Sequence, residues 1–376
     1  MSNSALQEIP SDLITGRVSL IVPCYNIERY FDDFLQSILV QTYASLEIIL
    51  VNDGANETTT RLLREAVSPL ENKGFTVKLI EQPNKGLGGA VDTGLKHFTG
   101  EFLMWPDPDD WLLPHSIERR VELMRRYPEV GLLRSNAQLF IDAKQELDGH
   151  FMPVQGDPKY VPELFEDLVF QRFFYGPVCH FVRSEMFLKV HPDRTIWFSK
   201  ASSQNFQLLV PLVESYPVLQ VPESLAVYRI REDSRSRAPT KTHEKLMGRH
   251  EQLYELTIRT LPKLKTTTPA RSARLMNQHW RNKMLPTAIR AKQRSKGMVL
   301  IDKTSLSPWR KLLARLCLSM RCNAKFDVLD QRTGRILSRV FSRSLDAIVR
   351  MPKQEAVWGS GPLWKVPNST NSKPYS

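Results

Sequence analysis

Four short apolar runs constrain this chain most, because each ends abruptly in polar residues and is tied to the next by a helix-like segment. The first, VSLIVP, is opened by Arg17 and ends in Pro23-Cys24-Tyr25-Asn26. Continuous runs rich in β-branched residues mark strands buried on both faces, as in parallel sheets. Ile27 to Val40 then reads as a helix, with Phe31, Phe34, Leu35, Ile38 and Leu39 on one face. The strand Leu46 to Val51 ends in Asn52-Asp53-Gly54, and the helix Glu57 to Val67 follows. The strand Thr76 to Ile80 runs into Glu81-Gln82-Pro83-Asn84-Lys85-Gly86, and GLGGAVDTGLKHF leads into a third helix. Phe102 to Trp105 ends the series. This alternation predicts an α/β fold on a doubly wound, mostly parallel sheet.

Asn26, Asp53, Asn84 and the acidic cluster at Asp107 each fall just past the carboxyl end of a strand. In open α/β sheets ligands bind along that edge, where strand order reverses. One strand-end Asp is explained by helix capping; four successive polar strand ends favour a nucleotide crevice. No G-x-G-x-x-G opens the first helix and no Walker A sequence occurs, which argues against a dinucleotide oxidoreductase and a P-loop NTPase.

The fourth strand ends in Pro106-Asp107-Pro108-Asp109-Asp110, three carboxylates in four residues. Such close like charges raise one another's pKa unless a cation sits among them. Hard divalent cations take oxygen ligands and are commonly shared with phosphates. A metal-diphosphate site is one reading, and an acidic turn with Asp109 or Asp110 capping the next helix is the other. The polar strand ends upstream favour the metal.

The segments VSLIVPCYNIERYFDDFLQSILVQTYASLEIILVNDG and EQPNKGLGGAVDTGLKHFTGEFLMWPDPDDWL, within residues 17–125, resemble family 2 glycosyltransferases. These are inverting enzymes of the GT-A fold, and the resemblance is to the bacterial surface-polysaccharide type. It implies that Asp53 contacts the nucleobase and that Pro23, Tyr25, Asn26 and Glu28 line the same pocket. Asn84, Lys85 and Gly86 would help close the nucleotide-sugar site. Asp107 and Asp109 would form the Asp-x-Asp motif, with Asp109 as direct ligand of Mg²⁺ or Mn²⁺ on the diphosphate of a UDP-sugar or similar donor. Asp110 reads as a cap or a supporting residue, with direct ligation of the metal the lesser reading. Two positions depart from the pattern: Asn52 stands where an Asp is frequent, and Val91-Asp92 where Arg-Asn is common.

Further on, Ile117 to Tyr127 reads as a helix, Gly131 to Phe140 as a strand carrying Arg134, and Tyr160 to Phe174 as an aromatic-rich helix. Val178 to Arg183 reads as a strand, in which His180 is more often a packed residue than a catalytic one, and a helix follows from Glu185. The family's base is an Asp after an acidic residue at a helix start, and here Gln204-Asn205 occupies the matching stretch. Amides take no proton at neutral pH. Three readings stay open: another carboxylate serves as base while Gln204 and Asn205 orient hydroxyls; the alignment is shifted, with Asp193 or Glu214 nearby; or the protein binds donor and turns over poorly. Pro222 to Ile230 gives the last strand, entering Arg231-Glu232-Asp233-Ser234-Arg235-Ser236-Arg237. It resembles the family's Tyr-Arg segment and flexible loop, making Arg229, Arg235 and Arg237 candidate phosphate contacts.

The chain has 376 residues and a net charge of +12, but the charge is unevenly placed. Residues 1–238 carry 24 Lys+Arg and 32 Asp+Glu, net −8, and residues 239–376 carry 28 and 8, net +20. The expected organisation is an extension at 1–16, a GT-A domain at 17–238, a basic and mainly helical region at 239–365 and a disordered tail at 366–376. Within the basic region Trp309, Leu312, Leu313, Leu316 and Met320 recur at helical spacing, as do Ile336, Leu337, Val340, Phe341, Leu345 and Ile348. Amphipathic basic helices lie on anionic bilayers or pack on a neighbouring domain, and the charge excess favours a membrane surface. No nucleic-acid-binding module is recognised there. Four scattered cysteines exclude a CxxC zinc site and fit a reducing cytosol. No signal peptide or membrane span is read. The sequence thus points to a cytoplasmic, peripherally membrane-bound enzyme that moves a sugar to a glycan or lipid-linked acceptor, with a catalytically silent sugar-nucleotide-binding subunit as the alternative.

Overall fold

The computed structural model describes residues 12–162, 164–169, 176–198, 204–231, 243–261, 284–290 and 294–302, with isolated positions between 264 and 315. They fall into two units, which divide after Arg235.

The first unit is organised on one sheet. Strands β1 (Ile14–Cys24), β2 (Leu46–Asp53), β3 (Thr76–Gln82) and β4 (Gly100–Met104) run parallel in the order β3-β2-β1-β4. Helices α1 (Phe31–Leu39), α2 (Glu57–Asn72) and α3 (Gly86–Leu95) connect them, as the alternation predicts. Every residue of β2 is buried, in keeping with its unbroken apolar run. Beyond β4 the sheet changes character. β5 (Trp111–Leu112), β6 (Leu132–Ile141), β7 (Glu146–His150), β8 (Lys159–Tyr160), β9 (His180–Arg183) and β10 (Val218–Ile230) extend it to β3-β2-β1-β4-β9-β6-β10-β5. β9 is antiparallel to both β4 and β6, while β6 and β10 are parallel. Helix α4 is Ser116–Arg126, α5 Leu164–Val169, α6 Ser184–Val190 and α7 Asn205–Ser215.

Helix α2 runs five residues past the expected Val67 to Asn72, and β10 starts four residues before the expected Pro222, at Val218; three other boundaries differ for a local reason. Helix α1 begins at Phe31, four residues late, because Asn26 takes a left-handed φ of +49° and Ile27 O is already bonded to the N–H groups of Tyr30 and Phe31. Tyr160 lies in a short strand, since Lys159 and Tyr160 pair with Gln220 and Leu219, so the helix expected over Tyr160–Phe174 is seen as Leu164–Val169, with residues 170–175 outside the described set. Val178 and Cys179 form a 3₁₀ turn, and β9 starts at His180.

Gly94 lets helix α3 lie close on the sheet, since a Cβ there would meet Ile21 at 2.3 Å. Both faces of the sheet are covered: Leu20, Val22, Ile48, Leu50, Phe102, Met104, Leu133 and Phe181 are buried in one cluster, and the alternate residues Ile21, Ile49 and Leu103 are buried on the other face. In the second unit α8 is His243–Thr260, α9 Leu285–Arg290 and α10 Arg294–Asp302. Met247, Leu285, Ala288, Leu300 and Ile301 form its core. Leu312 is exposed, while Trp309, Leu313, Leu316, Met320, the helix expected at 336–348 and the tail lie outside the described residues. Among the described residues no helix is long and apolar enough to cross a membrane.

Candidate functional site

Because β1 to β3 are parallel, their carboxyl ends share one edge, and the register aligns Cys24 with Asn52 and Asp53 with Gln82. Pro23 is buried within β1, Tyr25 projects at 52% exposure, and Asn26 and Glu28 are exposed in the loop beyond. That loop is laced to the start of α2. The Asn56 N–H donates to Asn26 Oδ1 at 2.9 Å, and Glu28 accepts from Asn56 Nδ2 at 2.9 Å and Thr59 Oγ1 at 2.6 Å. The Thr59 hydroxyl, with Asn56, holds the Glu28 carboxyl below its ordinary pKa. Asn56 also caps α2 by accepting from Thr59 N. Asn52 is accommodated before Asp53 because Oδ1 accepts from Ala55 N at 3.0 Å and Nδ2 donates to Thr60 Oγ1 at 2.9 Å, leaving the Thr60 hydroxyl proton for another acceptor, whereas a carboxylate would have to take it.

Asp53 is buried. Its carboxylate accepts from Gln82 Nε2 at 2.7 Å, Lys85 N at 2.8 Å and Gly86 N at 2.8 Å. Asp53 therefore fixes the turn Asn84-Lys85-Gly86 at the start of α3. Gly54 permits this closeness, with φ +64° and space for a Cβ only 2.7 Å from Asn84 N. Asp92, in the pair that departs from the family pattern, accepts from Ile196 N at 2.9 Å and pairs with Lys96 at 2.7 Å, pinning the chain that leads toward Gln204.

The acidic cluster lies past β4. One ligand atom from each of Asp107, Asp109 and Asp110 sits within 4.8 Å of the others. Neither Asp109 nor Asp110 caps a helix: β5 follows at once, and α4 starts at Ser116 with His115 before it. Asp110 is 1% exposed. Its Oδ1 accepts from Arg229 N at 2.9 Å, while its Oδ2 has no hydrogen-bond partner among the described residues. Burial first, then the charges of Asp109 and Asp107, push its carboxyl well above the usual range. A buried carboxylate oxygen lacking a donor, beside two further carboxylates, is a donor set that suits a hard divalent cation.

β10 closes the other side. Its antiparallel register with β5, Val227 opposite Trp111, carries Arg229 and Arg231 back toward Asp109 and Asp107. Arg229 was expected at a phosphate, but its guanidinium is buried inside the fold. It donates to Asp142 Oδ1 at 2.8 Å, to Asp109 O at 3.1 Å and to Asp33, and lies about the rings of Tyr30, Trp111 and Phe140. Arg231, which sequence reasoning passed over, pairs with Asp109 at 2.8 Å and lies over the Tyr30 ring at 4.6 Å. The register that reveals it depends on a strand of two residues, too short to read from sequence. Arg235 and Arg237 lie outside the described residues.

Gln204 and Asn205 open α7. Asn205 Oδ1 accepts the indole N–H of fully buried Trp105 at 2.7 Å, which links this helix to the residue before Pro106-Asp107. Gln204 is buried, and its Oε1 has no partner among the described residues. A shifted alignment would turn to Glu214 or Asp193. Glu214 lies nine residues along α7, about 13 Å away at 1.5 Å per residue, and Asp193 is an exposed residue after α6. His180 is buried in β9 and held neutral, its pKa lowered to about 3 by burial and by Arg134 and Arg120.

Comparison with known proteins bears on the family and the fold. The family model described as "Glycosyl transferase family 2" matches residues 19–181. Glycosyltransferase GlyA of Streptococcus pneumoniae is 26% identical over 236 residues, covering 61% of this chain and 33% of that protein. An uncharacterized glycosyltransferase of Haemophilus influenzae is 28% identical over 216 residues, covering 57% and 65%. The chain thus spans from a third to just under two thirds of these relatives. The crystal structure of S. aureus TarS 1–349 in complex with UDP-GlcNAc superposes with a TM-score of 0.54 at 15% identity, covering 80% of this chain and 88% of that one. The fold is that of the GT-A glycosyltransferases.

Proposed function

We propose, from the premise that residues 19–181 are a glycosyl transferase family 2 domain, that this chain moves a sugar from a nucleotide-sugar donor to an acceptor hydroxyl. The observation that carries the reading is the acidic cluster with its buried Asp110 oxygen, which has no hydrogen-bond partner among the described residues, on the sheet edge that also holds Asp53 and the Asn84–Gly86 turn. Tyr25, Asn26 and Glu28 would line the wall that takes the nucleoside, with Asp53 setting the turn opposite. Asp107, Asp109 and Asp110 would hold Mg²⁺ or Mn²⁺. Such an ion supplies positive charge where the diphosphate leaving group becomes more negative. Asn205 and Gln204 would orient hydroxyl groups of sugar or acceptor, and the proton of the attacking hydroxyl would pass to a group outside this pair. Attack on the anomeric carbon in a single displacement gives inversion, as the family resemblance implies.

The acceptor we infer is a polysaccharide or lipid-linked glycan at an anionic membrane face, supported by the net +20 of residues 239–376. The donor site is tested by measuring Tm against a panel of UDP-, GDP-, CDP- and dTDP-sugars with and without Mn²⁺. One donor class is expected to raise Tm, and chiefly when Mn²⁺ is present. Failure of every nucleotide sugar to stabilise the protein with any divalent ion would overturn the reading.

A further inference from the structure

Asp109 already has a cation. Arg231 Nη2 lies 2.8 Å from Asp109 Oδ2, and each side chain is 21% exposed. The pair is half-buried at the centre of the site, where ion pairs are screened less than at the surface. Its neighbour Arg229, buried by Asp142, Asp33 and three aromatic rings, is fixed in the wall. The Arg231 guanidinium lies over the ring of Tyr30, a contact a planar cation can keep while its donors turn from one anion to another.

The electrostatics make this pairing conditional. Three carboxylates beside one guanidinium leave a net negative cluster, which repels a diphosphate. A divalent ion entering among Asp107, Asp109 and Asp110 cancels that excess negative charge and meets Arg231 as a like charge on Asp109. The incoming diphosphate then offers Arg231 an anion of the bidentate kind that guanidinium favours.

We propose that Arg231 is a counter-ion switch, holding the Asp109 carboxylate when no metal is bound and passing to the diphosphate of the donor once a divalent cation takes Asp109. Metal and donor then bind cooperatively, each favouring the state in which Arg231 has left Asp109, and the coupling is reciprocal. The inference rests on the donor-site reading above and adds to it a residue and an order of exchange.

The test is Mn²⁺ binding to the full chain, followed by the EPR signal of the free ion, for wild type, Arg231→Gln and Arg231→Lys. A second titration at saturating Mn²⁺ uses UDP, GDP, CDP and dTDP, compared through whichever binds wild type best. Without nucleotide, Arg231→Gln should bind Mn²⁺ at least about fivefold more tightly than wild type, because the competing charge is gone. At saturating Mn²⁺ the same variant should bind the nucleoside diphosphate at least about fivefold more weakly. Arg231→Lys, which keeps the charge, should fall between the two in both titrations. A damaged fold would weaken both affinities, so a gain in metal affinity separates exchange from a structural role. Equal or weaker Mn²⁺ binding by Arg231→Gln, with Mn²⁺-dependent diphosphate binding intact in wild type, would overturn the switch alone. Absence of Mn²⁺-dependent diphosphate binding in wild type would overturn the donor-site reading and the switch with it.

Discussion

At the end of β2 the Asp53 carboxylate accepts three hydrogen bonds from its own fold, whereas past β4 Asp110 keeps a buried oxygen with none among the described residues. Both are strand-end aspartates on one sheet, and both are almost wholly buried. The difference is in what completes them. Asp53 is complete within the protein, and it serves by fixing a turn. The Asp107–Asp110 cluster is crowded with like charge and is balanced in part by Arg231 across a strand register. A site wall can be built from groups that satisfy one another, while the centre of a binding site stays electrostatically unfinished until its ligand arrives.

Substitutions should separate the two regions. The largest effect is expected for Asp109→Ala, which should abolish Mn²⁺-dependent nucleotide binding and sugar transfer while leaving Tm close to wild type; full activity in this variant would place the metal elsewhere. Asp53→Ala should act in the opposite sense. It strands the N–H groups of Lys85 and Gly86 and should lower unfolding free energy by about 3 kcal/mol in denaturant titrations. Gly54→Ala introduces a Cβ at φ +64° against the backbone of Asn84, and a loss of about 2 kcal/mol is expected in the same assay.

A pH series extends the comparison to a buried group away from the cluster. His180 titrates near its ordinary value in the unfolded chain and at about 3 in the fold. Between those values the unfolded state binds the extra proton, so His180 should reduce stability as pH falls below about 6.5. The slope approaches about 1.4 kcal/mol per pH unit in that window, and His180→Phe should remove it. The smallest effect should come from Trp105→Phe, which loses the hydrogen bond to Asn205 at a cost of about 1 kcal/mol.

The parallel half of the sheet was legible because its strands are continuous apolar runs and its helices carry clear one-sided faces. The strand-end residues followed from that, since parallel strands bring their carboxyl ends to one edge. What stayed hidden depends on contacts between distant segments. The exchange of roles between Arg229 and Arg231 is decided by a register with Trp111, more than a hundred residues earlier. The N-terminal boundary of α1 depends on Asn26 and on the Ile27 carbonyl, not on the apolar periodicity that predicts a longer helix. The bond between Trp105 and Asn205 likewise joins two segments one hundred residues apart, and it gives the amide at 205 a partner that no local pattern shows.

Donor binding depends on a divalent ion and a diphosphate meeting at the acidic cluster. Crystals soaked in MnCl₂ with the best-binding nucleoside diphosphate and measured at the manganese absorption edge address this directly. An anomalous peak among the carboxylates of Asp107, Asp109 and Asp110, with the diphosphate beside it, is the predicted result. A bound nucleotide with no anomalous peak at these residues, or manganese at another place, would contradict it.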